Sequence, residues 1–182
     1  TRGDGIRGED VTANVRAIRS IPLRLFNPPV GRVEIRGEIY LPRAMFDSLN
    51  ETRADAGEPL FANPRNAAAG TMRHLDPALV ARRGLHAWMY QIVSDSPDGI
   101  ERVSKNQLEQ LQQWALPVES HWQRCVDIDE VLRFCQEWAE RRDSLRFDID
   151  GVVVKVDDPR HRRILGSTAK CPRWAVAFEF PA

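Results

Sequence analysis

The segment Phe-Ala-Asn-Pro-Arg-Asn-Ala-Ala-Ala-Gly-Thr-Met-Arg, residues 61–73, sets Arg65 and Arg73 around a run of small residues. A surface helix shaped only for stability is usually richer in Glu, Lys and Gln. Small side chains let a backbone approach another backbone closely. A guanidinium presents a fork of donors that matches phosphate oxygens. Arg65 and Arg73 are therefore candidate anion contacts. The plainer alternative is an Ala-rich helix carrying two solvated arginines.

Four other blocks carry residues suited to the same chemistry. The chain opens Thr1-Arg2-Gly3-Asp4-Gly5-Ile6-Arg7-Gly8-Glu9-Asp10-Val11-Thr12, where flexible glycines beside Arg2 suit contact with a phosphate or stacking near a base. Val33-Glu34-Ile35-Arg36-Gly37-Glu38-Ile39 offers Glu38 as a carboxylate that accepts from hydroxyls, with Gly37 removing a side chain that would crowd a ligand. Because Glu34 and Arg36 share its parity, an exposed strand charge is the alternative. Phe147-Asp148-Ile149-Asp150-Gly151-Val152-Val153-Val154-Lys155-Val156 places Asp150 and Lys155 on opposite sides of a regular extended segment, unless a bulge at Gly151 alters that geometry. A lysine set among valines is unusual for a purely structural strand. The last block is Lys170-Cys171-Pro172-Arg173-Trp174-Ala175-Val176-Ala177-Phe178-Glu179-Phe180-Pro181.

In this order and spacing the five blocks resemble the adenylation (nucleotidyltransferase) domain of bacterial NAD-dependent DNA ligases, over essentially the whole chain. The resemblance implies an α+β nucleotidyltransferase fold of the ligase and capping-enzyme type, with mixed, mainly antiparallel sheets and packed helices. It also implies NAD and Mg as cofactors, nicked double-stranded DNA as partner, and further ligase domains around residues 1–182, read as one adenylation domain truncated at both ends. Such ligases form a lysine–AMP phosphoramide, pass AMP to a DNA 5′-phosphate, and expel it with a 3′-hydroxyl. Each step is an in-line displacement at phosphorus, where positioning and charge stabilisation carry the catalysis.

By the same resemblance Arg2 helps bind the adenylate, Glu38 faces the nucleotide sugar, and Lys155 contacts the AMP phosphate. Asp150 assists metal-dependent steps, while Arg65 and Arg73 serve nicotinamide-nucleotide or DNA phosphates and nick sealing. The family nucleophile lies in a Lys-x-Asp-Gly motif; Lys105, Lys155 and Lys170 are the lysines here, and none is followed by x-Asp-Gly. These 182 residues are therefore expected to be inactive alone. Glu179 stands where the family usually has an adenylate-contacting lysine. Either another cation substitutes, or one step is impaired, or the sequence is in error. The competing readings are an ATP-dependent polynucleotide ligase or capping enzyme, and a non-catalytic ligase-like module that grips DNA.

Bulk properties are consistent with this. Acidic and basic residues number 26 each, so nucleic-acid contact must come from local arginine clusters or from other domains. Cys125, Cys135 and Cys171 form no Cys-x-x-Cys, which argues against a zinc site or a disulfide framework and for reduced, cytoplasmic thiols. No apolar run approaches the ~18 residues of a membrane span, and no signal peptide is evident.

The elements that position these residues follow from periodicity. A helix is expected over 10–18 and a half-buried strand over 33–41. A helix opening at Pro42 and ending at Gly57 should turn Met45, Phe46 and Leu49 inward. A strand is expected over 85–93, then a turn over 94–99. Ser104 and Gln107 have capping-box spacing ahead of Leu108, Leu111 and Trp114. Asp127 and Glu130 open another helix whose core stripe is Ile128, Val131, Leu132, Cys135 and Trp138. Strands over 152–156 and 174–180 close the chain.

Overall fold

Two short antiparallel ladders carry the architecture, and neither could stand alone in water, since an isolated two-stranded ribbon is marginal at best. In the computed structural model, which describes residues 1, 7–28, 30–93, 107–168 and 171–181, β1 (Glu34–Tyr40) pairs with β2 (His86–Val93), and β3 (Gly151–Lys155) pairs with β4 (Ala175–Glu179). The helices are α1 (Thr12–Ala17), α2 (Arg43–Asp55), α3 (Pro64–Met72), α4 (Pro77–Arg82), α5 (Gln107–Gln113), α6 (Ile128–Arg141) and α7 (Pro159–Leu165). Mixed helices and small antiparallel sheets make the chain α+β, as its pattern of elements led us to expect.

Local sequence explains the helix starts. Asn63 caps α3 by accepting from Asn66 N at 2.8 Å, with Pro64 in the first turn. Asp76 and Asp158 cap α4 and α7 in the same way, each ahead of a proline. At α6 the expected capping box forms with one change. Asp127 accepts from Glu130 N at 2.8 Å, but the Glu130 carboxylate reaches back to Val126 N rather than Asp127 N. Gly57 lies just past α2 at φ +68°, a left-handed geometry that favours glycine. The Ser104 capping box and the 94–99 turn lie outside the described residues.

Two buried clusters hold the elements. Ile18, Leu41, Ala67, Ala68, Met72, Val80 and Leu85 join α1, α3 and α4 to the end of β1. Ile92, Leu111, Trp114 and Leu116 close α5 onto the far end of β2. Three inward expectations fail. Met45 is 42 % exposed, because Phe46 and Leu49 already fill the face of α2 that packs on the first cluster. Ile128 and Leu132 are exposed, and Cys135 and Trp138 form the buried face of α6.

Arg43, at the start of α2, organises the chain leading into β3. Its backbone N–H donates to Arg146 O, its Nε to Asp148 Oδ1, and its Nη1 to Asp143 O and Leu145 O, at 2.5–3.1 Å. This network ties the 143–148 segment to the layer containing β1, and so fixes where Asp150 emerges.

Gly37 is required by the sheet itself: a Cβ there would sit 2.5 Å from Trp88 O and from Met89 Sδ. Clearance for a ligand, the expected reason for this glycine, is not needed to explain it. Gly70, on α3, would bring a Cβ no closer than 3.5 Å to Phe61 Cε1. Gly37→Ala should therefore lower the melting temperature by several degrees. Gly70→Ala should raise stability by about 0.5–1 kcal/mol through helix propensity. Thermal and urea unfolding of the pair would check this, and equal effects would refute the contrast.

Candidate functional site

The expected site residues emerge from three elements. Arg65 occupies the first turn of α3, and its Nη1 lies 3.9 Å from Asp150 Oδ2. Both side chains are at least 85 % exposed, so the pair is weakly held and free to exchange partners. Arg73 follows the C-terminus of α3, with its Nε 3.8 Å from Glu9 Oε2, again at the surface. Glu9 belongs to the Gly-rich opening block, whose ends are tied together. The Thr1 amine donates to Glu9 O, and Glu9 N donates to Thr1 Oγ1, each at 2.9 Å. Arg2 lies outside the described residues.

Glu38 stands on β1 opposite Trp88, exposed and without a hydrogen-bond or ion-pair partner among the described residues. Its strand neighbours differ: Arg36 donates to Glu34 at 3.0 Å, so these two neutralise each other. Beside Glu38 the same face is aromatic. Tyr40 stacks on Trp88 at 5.4 Å between centroids, and Phe147 meets Tyr40 at 5.0 Å and Trp88 at 6.0 Å. Burial and then Glu119 push the Tyr40 phenol up to about 12, so it remains neutral at any ordinary pH. The Trp88 indole N–H is buried with no partner among the described residues.

Lys155 ends β3, paired with Ala175. The β3–β4 register runs without a shift from Gly151 to Lys155, so the possible bulge at Gly151 does not occur. Gly151 serves the ladder instead, since a Cβ there would lie 2.2 Å from Phe178 O. The irregularity is in the other sheet. Arg36 pairs with Gln91 and Gly37 with Met89, leaving Tyr90 as the extra residue of β2. The bulge re-aims Tyr90, and Lys155 Nζ sits 4.7 Å from its ring centroid. Lys155 thus bridges the two sheets.

Burial, and secondarily Arg162, lower the Lys155 pKa. Arg162 is itself pushed down by burial; it lies over Trp174 at 4.7 Å and donates its Nε to Val156 O. Two partly desolvated cations and two aromatic rings therefore meet at the Lys155 end of the ladder. Directly paired residues share a face, so Glu179, paired with Gly151, lies on the Lys155 face. Four residues of strand, at ~3.3 Å each, put it roughly 13 Å from Lys155. Glu179 precedes Phe180, whose N–H donates across the ladder to the Asp150 carbonyl at 2.8 Å.

The structure thus joins Arg65 to Asp150, sets Glu179 at the Gly151 end of the β3–β4 ladder, and sets Lys155 at its other end. Tyr90 and Arg162 escaped sequence reasoning. The bulge that turns Tyr90 has no marker in Trp-Met-Tyr-Gln, and Arg162 reads as one of several charges on α7.

A single α+β domain of this make-up has clear relatives. The model of the NAD-dependent DNA ligase adenylation domain family matches residues 1–182. DNA ligases of Heliobacterium modesticaldum, Carboxydothermus hydrogenoformans and Thermotoga maritima are 48 %, 49 % and 50 % identical to it over its whole length. The chain belongs to the NAD-dependent DNA ligase adenylation domain family. It spans 26–27 % of the length of these relatives.

A half-buried lysine that is depressed in pKa carries an unfavourable charge in the folded state below that pKa. The penalty fades as pH rises through the folded value, because the unfolded lysine titrates higher. Lys155→Met keeps the contact with Tyr90 and removes the charge. The unliganded variant should melt at or above the parental temperature at pH 7, with the difference shrinking toward alkaline pH. A loss of several degrees would make Lys155 a structural residue.

Proposed function

We propose that this chain supplies the adenylate-handling and nick-facing part of a cytoplasmic NAD-dependent DNA ligase, built on the ligase and capping-enzyme nucleotidyltransferase fold. The observation that carries the reading is Lys155: a cation held partly out of water, coupled to Arg162, and lying on Tyr90 with no acidic partner among the described residues. Structural lysines are paired or solvated, whereas an uncompensated one suits an anionic ligand.

In this reading the α-phosphate of NAD lies against Lys155, which stabilises charge as the motif lysine of the full-length protein displaces nicotinamide mononucleotide. Glu38, unpartnered at the edge of the Tyr40–Trp88–Phe147 face, accepts from the ribose hydroxyls. Arg2 joins the adenylate contacts. Arg65 and Arg73, exposed and only loosely paired, exchange Asp150 and Glu9 for phosphates of nicked duplex DNA. No group of three His, Cys, Asp or Glu converges among the described residues. Magnesium commonly keeps waters and phosphate oxygens and takes one or two protein carboxylates, and Asp150 fits that role. The metal supplies charge neutralisation at the transferring phosphate.

Lys155→Met in the full-length protein should slow enzyme–AMP formation by about 100–1,000-fold, the loss typical of one donor at a developing anion. Single-turnover adenylation checks this, and a parental rate would remove Lys155 from the site. Arg65→Ala and Arg73→Ala should instead weaken nick binding and flatten its salt dependence, since each phosphate contact releases counterions. The 182-residue chain alone should gain no AMP by intact mass, because it holds no Lys-x-Asp-Gly lysine.

Glu179 favours the second reading, a ligase-like module without catalysis. Glu179→Lys distinguishes them. If the site works as a ligase weakened at one position, the substitution should raise the adenylation rate, modestly given the exposure of Glu179. A fall in rate would mark Glu179 as an adapted part of the site.

A further inference from the structure

The C-terminal end of α3 is held from outside the helix. Asn14 of α1 is 7 % exposed, and its Nδ2 donates to Met72 O at 2.9 Å and to His74 O at 2.8 Å. These two carbonyls flank Arg73. The last carbonyls of a helix are ordinarily satisfied by a following left-handed glycine or by water. No glycine follows α3, and Arg73 itself keeps a right-handed backbone. The remote amide does that work.

Packing alone does not call for an asparagine there. Val11, Val15 and Ile18 already supply the apolar contacts of α1 with the first core cluster. Thr71, fully buried, fixes the preceding turn by donating to Ala67 O at 2.7 Å and accepting from Arg83 Nη1 at 2.9 Å. A buried amide is costly unless its polar atoms are satisfied, and both donors of Asn14 go to the backbone on either side of one residue. That residue is an exposed arginine whose single ionic neighbour among the described residues is a loosely held glutamate.

We infer that Asn14 is a positioning residue for Arg73. It fixes the backbone from which the guanidinium projects and ties that backbone to the helix following the Gly-rich opening block. The inference rests on the nick-facing role proposed for Arg73. Asn14 touches no reacting group; it acts through the direction in which Arg73 leaves the surface, and a misplacement of about 1 Å in such a group can cost on the order of a hundredfold in rate.

The test is a double-mutant cycle in a full-length protein carrying this domain, with Asn14→Ala, Arg73→Ala and the double variant. Enzyme–AMP formation, sealing of a nick already bearing AMP on its 5′-phosphate, and the melting temperature are read in parallel. Asn14→Ala should slow sealing between about tenfold and about a hundredfold while enzyme–AMP formation stays near parental. The double variant should seal no more slowly than the slower single one, the non-additivity expected of groups acting as a unit. Asn14→Ser, which keeps one donor, should fall between, and it carries the same cycle should Asn14→Ala not fold. Multiplying losses, or adenylation falling in step with sealing, would mean Asn14 is merely structural. If Arg73→Ala seals at the parental rate, the nick-facing role of Arg73 fails and takes the inference with it. If Arg73→Ala is slow and the Asn14 variants are not, the inference alone is overturned.

Discussion

The burial of α3 against the core is the constraint on which the placement of Arg65 and Arg73 depends. Ala67 and Ala68 are 0 % and 4 % exposed, so the helix lies with its backbone nearly in the core, between the end of β1 and α4. Interiors are packed to crystal-like density, and a larger residue at either position would push the helix outward. Held there, the helix has no freedom to slide. Its first turn presents Arg65 toward Asp150 and its end presents Arg73 toward Glu9. The two arginines are exposed at their tips, in long ion pairs of 3.9 and 3.8 Å, and fixed at their roots.

The second constraint is electrostatic and runs opposite to stability. A folded chain under no functional demand would solvate Lys155 or pair it. Here its neighbours are Tyr90 and the partly desolvated Arg162, a combination that leaves the charge under-compensated. The cation–π contact softens this by about 0.5–2 kcal/mol. It does not remove it. Glu38 differs: it is exposed and so solvated, with no ion-pair partner among the described residues, while Glu34 and Arg36 pair beside it.

How much of this was legible differs by the range of the interaction. The alternating strand through Glu38 and the stripe through Cys135 and Trp138 are local patterns, and periodicity with capping chemistry marks them. In the sequence a helix over the Ala-rich segment is only the plainer alternative, though Asn63 and Pro64 do start one. The strand expected over 33–41 runs from Glu34 to Tyr40, one residue shorter at each end, where fraying decides. Met45, Ile128 and Leu132 were misplaced because periodicity gives a face and not how wide a face the neighbours cover. The contacts that build the site are not local at all. Asn14 reaches 58 and 60 positions along the chain, and Arg43 reaches about a hundred. The bulge at Tyr90 arises from register against β1, which no residue of β2 announces.

Glu179 shows what the ladder adds to a motif comparison. Read along the chain, it is an anion in a position where the family favours a cation. Read in the sheet, it is on the Lys155 face but far down the strand, at the start of β3. Asp150, one residue before β3, has the alternate parity and belongs to the other face, so Glu179 does not stand beside the Arg65–Asp150 pair. Its charge reaches Lys155 along one face of the ladder, across roughly 13 Å of strand. The departure thus leaves Tyr90 and Arg162, the immediate surroundings of the half-buried Lys155, as they are, and acts on that cation only from the far end of the strand.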